Sequence, residues 1–156
     1  MIAAASAPLI AVHALAASIW VGGLVAIFVV ARAASGTLEP AQRVEFFRAL
    51  GRSYGVVGSL ALLVALATGA VLLDDHPWDG LMVAAVVVAG ALLLVTATGM
   101  AQARAMTRLR RQAMAEVGVK SLDARVRRGA VLATTLRACI GVLTLALVVL
   151  GAALVD

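Results

Sequence analysis

His13 interrupts a run of apolar residues, Leu9–Ala31, and an ionisable side chain inside such a run is costly enough to suggest a role. It lies about one helical turn from the start of the run, and Ala17 and Trp20 share its helical face. Neutral imidazole is a ligand for copper, zinc or haem iron. The other histidine, His76, stands in the polar stretch Asp74-Asp75-His76-Pro77-Trp78-Asp79-Gly80, with Met82 close behind. Imidazole and thioether suit Cu(I), and imidazole with carboxylate suits Cu(II) or zinc. His13, His76 and Met82 are therefore the candidate metal ligands. Each also has a plainer explanation. A shallow neutral histidine can bond a backbone carbonyl or interfacial water. Within the stretch, Asp79 can cap a helix, Trp78 can anchor at an interface, and His76-Pro77 can make the turn.

Arg137 is the one basic residue inside an apolar run, and with Trp20 it is a candidate for an intramembrane role. Its long stem also lets it snorkel to the nearer interface. Cys139 is the single cysteine, which excludes an internal disulfide and is expected to be a small buried hydrophobe. Thr68, Thr96, Thr98, Thr134, Thr135 and Thr144 are expected to bond carbonyls of their own helices. Met100, Met106 and Met114 fit flexible packing, with a copper route as the alternative. No paired intramembrane carboxylates, Ser/His/Asp set or glycine-rich phosphate loop is present, so the chain reads as a non-enzyme.

Four apolar runs must position these residues: Leu9–Ala31, Tyr54–Leu73, Leu81–Ala103 and Ala130–Val155. Each reaches the roughly 20 helical residues that a hydrocarbon core requires. Apart from Arg137, every Lys and Arg lies in the first and third gaps between runs, and the second gap, Asp74 to Gly80, holds three acids and no Lys or Arg. The positive-inside rule then makes gaps one and three cytoplasmic and both termini extracytoplasmic. The expected fold is all-α: an integral membrane four-helix bundle, a single transmembrane domain over residues 1–156. No basic residue precedes the first run, which is longer than a usual signal-peptide core, so a retained helix is expected. The net charge of +5 does not signal nucleic acid, because no aromatic residues interleave with the basic ones. Anionic lipid head groups are the expected partners, at ~1 kcal/mol per basic residue near the surface.

Local signals refine the helices. Ser6 and Pro8 suit the N-cap and first turn of the first helix. Small residues spaced four apart, Ala14, Ser18 and Gly22, then Gly51, Gly55 and Ser59, either form a packing seam or reflect a composition rich in Ala and Gly. Thr37 to Arg52 reads as an amphipathic cytoplasmic helix with Pro40 in its first turn and Val44, Phe47 and Leu50 on one face. Residues 104–129 read as a basic cytoplasmic hairpin. In it the third helix continues to about Glu116, Gly118 breaks the chain and Ser121 caps the fourth helix.

The stretch His13-Ala-Leu-Ala-Ala-Ser-Ile-Trp20-Val-Gly-Gly23 resembles the first helix of the copper resistance protein D (CopD) domain. Arg52-Ser-Tyr-Gly and Leu66-Ala-Thr68-Gly69 are similar to the second helix of that family, and HemJ-like proteins are more distant relatives. The resemblance covers the four-helix layout of nearly the whole chain. It implies a bacterial inner-membrane protein with a role in copper handling, and it strengthens the case for His13. The departures are also specific. Asp79-Gly80-Leu81-Met82 stands where the domain often carries a lysine, and the aromatic-proline-arginine stretch of HemJ-like proteins is missing. Copper binding at an outward-facing site is thus the first expectation. An accessory subunit of a larger membrane complex, or a homo-oligomer, is the second. A haem-binding protein is the third, although His13 lacks an evident intramembrane mate.

Overall fold

The computed structural model describes residues 2–115 and 120–154. The chain is all-α, with helices α1 (Ile2–Thr37), α2 (Pro40–Leu72), α3 (Gly80–Ala115) and α4 (Lys120–Ala153). All four are long and apolar enough to cross a membrane, within Ala7–Thr37, Glu45–Leu72, Gly80–Ala105 and Val131–Ala153. Large apolar side chains are exposed on every helix, among them Phe28, Val56, Leu94 and Leu145, each about two-thirds exposed or more. Such surfaces suit a chain whose solvent is lipid, and the fold is that of a multi-pass membrane protein. The chain divides into two compact units, Met1–Pro77 and Trp78–Asp156. Each is an antiparallel helical hairpin, α1 with α2 and α3 with α4.

The first hairpin turns on two residues, Leu38 and Glu39. Proline disfavours helical backbone in the residue before it. Glu39 accordingly takes an extended conformation, φ −62° and ψ 154°, and Pro40 opens α2. The Arg43 N–H then donates to the Glu39 carbonyl, 2.9 Å away, closing the first turn. The expected amphipathic segment, read from Thr37, therefore starts only at Pro40 as the N-terminal part of α2, continuous with its membrane span, while Thr37 ends α1. At the far end Leu73 ends α2, and the N–H groups of Leu73 and Asp74 return to the carbonyls of Gly69 and Val71. The His76 N–H donates to the Leu73 carbonyl, completing the expected turn. Asp79 caps α3 as expected: its Oδ1 accepts the Met82 N–H at 2.8 Å. Helix α3 runs well past its apolar part, to Ala115.

Several local expectations are corrected. Helix α1 is already helical at Ile2, so Pro8 lies inside it and Ser6 is not its cap. The run Ile2-Ala3-Ala4-Ala5 favours helix strongly enough to continue through a proline whose main cost is one backbone bond near the helix end. Ser121 lies within α4 rather than capping it, and Gly118 falls outside the described residues. The small-residue rows are not the seam of the first hairpin. Ala14, Ser18 and Gly22 are exposed, and a side chain placed at Gly22, Gly51 or Gly55 would meet nothing within 4 Å. The buried positions fall on adjacent faces: Ala16 and Trp20 of α1, Gly58, Ala61, Leu62 and Ala65 of α2. Spacings of three and four put each set on one stripe, and their many small side chains let the backbones come close. In the second hairpin Met82, Ala85, Leu92 and Thr96 form the buried stripe of α3, and Thr144 is buried on α4.

Candidate functional site

Helix α1 turns His13 toward α2. The imidazole Nδ1 lies 3.0 Å from the Ala65 carbonyl oxygen and 3.0 Å from Thr68 Oγ1. A carbonyl can only accept, so Nδ1 carries the proton. The Thr68 hydroxyl donates to the Val64 carbonyl at 2.7 Å, which leaves its lone pair for the same Nδ1–H. Within a neutral ring this network makes Nε2 the unprotonated, ligand-capable nitrogen. Gly69 completes the seat: a Cβ there would stand 3.2 Å from His13 Cε1. The sequence alone leaves open whether His13 faces protein or lipid. Half-buried against α2, it faces protein, and its carbonyl-bound Nδ1 matches the plainer explanation as well as a ligand's orientation.

A second cross-helix contact lies deeper in the same hairpin. The Tyr54 hydroxyl donates to the Trp20 carbonyl at 2.9 Å. Its ring occupies the space above Gly23, where any Cβ would collide with Tyr54 Cε2, Cζ and the hydroxyl oxygen. On the other side, a Cβ at Gly58 would come within 3.0 Å of the same ring. Glycine at position 23 thus permits this close approach, and any larger residue there would have to displace the Tyr54 ring. Trp20 is buried, 7% exposed, and its backbone anchors this contact.

The other candidates are placed as follows. His76 is half-buried in the turn after α2, four residues beyond Leu72, at the end of the hairpin where His13 meets Gly69. Asp74, Asp75 and Asp79 are exposed. Met82 belongs to the second hairpin, where it is buried in the first turn of α3. Among the described residues, no group of three or more His, Cys, Asp and Glu side chains could hold a metal ion. Arg137 is exposed on α4. Cys139 is exposed as well, against the expectation of burial, because it lies ~140° around the helix from the buried Thr144. Thr98 and Thr135 bond their own helices, to Leu94 and Val131. Thr96 does not; its hydroxyl is buried without a partner. Near the basic end of the second hairpin, Gln102 Nε2 donates to the Gly129 carbonyl at 2.9 Å, while its Oε1 is buried and unpartnered. Side chains of Met106 and Met114 fall outside the described residues; Met100 is exposed.

Comparison with family models, with curated proteins and with solved structures finds no match. The site therefore rests on its own geometry. Sequence reading passed over Tyr54 as a partner of Trp20. The available signal was a lone tyrosine in a span whose facing helix carries two successive glycines, because a buried phenol needs both space and an acceptor.

Proposed function

We propose that this multi-pass protein resides in a bacterial inner membrane, with its basic ends in the cytoplasm, and binds copper as Cu(I) at an outward-facing site through Nε2 of His13. The observation that carries this reading is the fixed ring of His13. Metal-binding histidines characteristically donate their other ring N–H to a carbonyl or carboxylate, which sets tautomer and orientation. Ala65 and Thr68 supply that hold here. The donor set suits the ion. Zinc takes four protein ligands in structural sites and three in catalytic ones, which the described His, Cys, Asp and Glu side chains do not assemble. Cu(I) is soft and takes imidazole and thioether donors. His76 is the second donor at this end of the first hairpin. Bound there, the ion would be held and passed on by ligand exchange, with no redox step required.

The test is anaerobic Cu(I) titration of the full chain in detergent against a chromophoric chelator, beside copper tolerance of cells carrying each variant. The wild-type chain should take up one Cu(I) per chain. His13→Ala should abolish uptake and His76→Ala should weaken it. Unchanged binding and tolerance in His13→Ala would overturn the assignment. A second reading, an accessory subunit of a larger membrane complex, is favoured by the row Ala14, Ser18 and Gly22, which α1 leaves exposed. Its test is purification in mild detergent: a partner at fixed ratio, lost in Gly22→Leu, supports it.

A further inference from the structure

We propose that Arg137 is a binding point for the phosphate of an anionic phospholipid, drawn in from the leaflet at the basic end of the second hairpin. Arg137 lies six residues inside the span that begins at Val131, about 9 Å along the helix axis. It is exposed rather than packed against α3. The same face continues through Gly141, where an added Cβ would meet nothing, to the exposed Leu145 and Val148. A guanidinium keeps its charge at any pH a cell meets. On an apolar surface that charge needs an anion, and the second hairpin offers none at this depth. No Asp or Glu occurs in α3, and the only one in α4 is Asp123, outside the span.

The geometry identifies the source of the anion. Side chains of an α-helix lean toward its N-terminus, which in α4 is the basic end, so the arginine stem extends toward that head-group layer. The Gln102–Gly129 hydrogen bond brings that end of α3 beside that end of α4. Arg104, two residues beyond Gln102, and Arg128, beside Gly129, are both exposed there. They add positive charge at that end on other helix faces, Arg128 lying ~180° around α4 from Arg137. Arginine binds phosphate through two parallel N–H donors. A lipid held by that fork would sit deeper than its neighbours, thinning the bilayer locally along α4. This inference needs only the membrane reading of the fold and is independent of copper.

The experiment is native mass spectrometry of the full chain released from nanodiscs of equal phosphatidylglycerol and phosphatidylcholine. The wild-type chain should retain phosphatidylglycerol in preference. Arg137→Ala should reduce the preference about fivefold, the factor one basic residue contributes at an anionic surface. Arg137→Lys, which keeps the charge but loses the fork, should fall between them, and this variant carries the test if the alanine variant does not fold. Equal retention of the two lipids by the wild-type chain overturns the proposal. So does an unchanged preference in both variants. Displacement of the lipid by excess inorganic phosphate would make this a soluble-anion site, and a dimer lost on substituting Arg137 would put a second copy there; either result overturns it.

Discussion

The two hairpins place their polar groups differently. In the first, the histidine and the tyrosine of the spans each reach across to the neighbouring helix, His13 to Ala65 and Thr68, Tyr54 to Trp20. In the second, the buried Thr96 hydroxyl lacks a partner, and the Gln102–Gly129 bond lies near the basic end. Cross-helix hydrogen bonds in lipid are modest, averaging ~0.6 kcal/mol with a maximum near 1.7. The bonds of two side chains do not account for a hairpin by themselves. What they add is register: a bonded pair has one sliding position, whereas small apolar faces tolerate several. The first hairpin is thus held in register at two levels, and the second at its basic end by Gln102 and Gly129, with Leu92 fully buried in its seam.

Substitutions can break this contrast in order of size. Gly23→Leu should have the largest effect. Its side chain would need the space held by the Tyr54 ring, and overpacking of this kind costs about 1–3 kcal/mol or more. Thermal unfolding in detergent, followed by the fluorescence of Trp20, should show the loss, and Tyr54→Ala in the same chain should recover part of it. Tyr54→Phe and His13→Ala come next, each lowering stability by roughly 0.6–1.7 kcal/mol; if both register bonds matter, the double variant should expose α1 amides to hydrogen exchange more than either single one. Thr96→Val should act in the opposite direction. Removing an unpartnered buried hydroxyl at constant shape should raise stability by about 1 kcal/mol, and a loss would mean that Thr96 has a polar partner in the membrane. Gly22→Ala should be smallest, within ~0.5 kcal/mol, because nothing stands near its missing side chain. Comparable damage from Gly22→Ala and Gly23→Ala would erase the distinction between the exposed row and the seam.

What could be read in advance follows from how local each signal is. The four spans, Pro40 in the first turn of α2, the Asp79 cap and the extension of α3 depend on hydropathy, on a proline ring or on a side chain three residues from its acceptor. All of these are visible within a few positions. The seam of the first hairpin is not. Ala14, Ser18 and Gly22 have the same spacing as a true contact row, and only the position of α2 puts burial on Ala16 and Trp20 instead. The Tyr54–Trp20 bond joins residues 34 apart and the His13–Thr68 bond residues 55 apart, so neither has a local signature. Ser6, Pro8 and Ser121 misled because residues that favour a helix start also occur inside helices when their neighbours are strong enough. The exposure of Cys139 shows the same limit: cysteine is usually buried, but lipid-facing positions place no penalty on a small apolar thiol.

The two-residue connection at Leu38 and Glu39 also bears on the order in which the molecule is made. Every residue of the His13 and Tyr54 contacts lies before Pro77. Synthesis runs at about 5–20 residues per second, so the 36 residues of α3 alone take roughly 2–7 s to add. Helical domains form their contacts in microseconds to milliseconds. The amino-terminal half can therefore enter the bilayer and lock its register while the ribosome is still translating the rest, and α3 and α4 emerge into a membrane that already holds a finished hairpin.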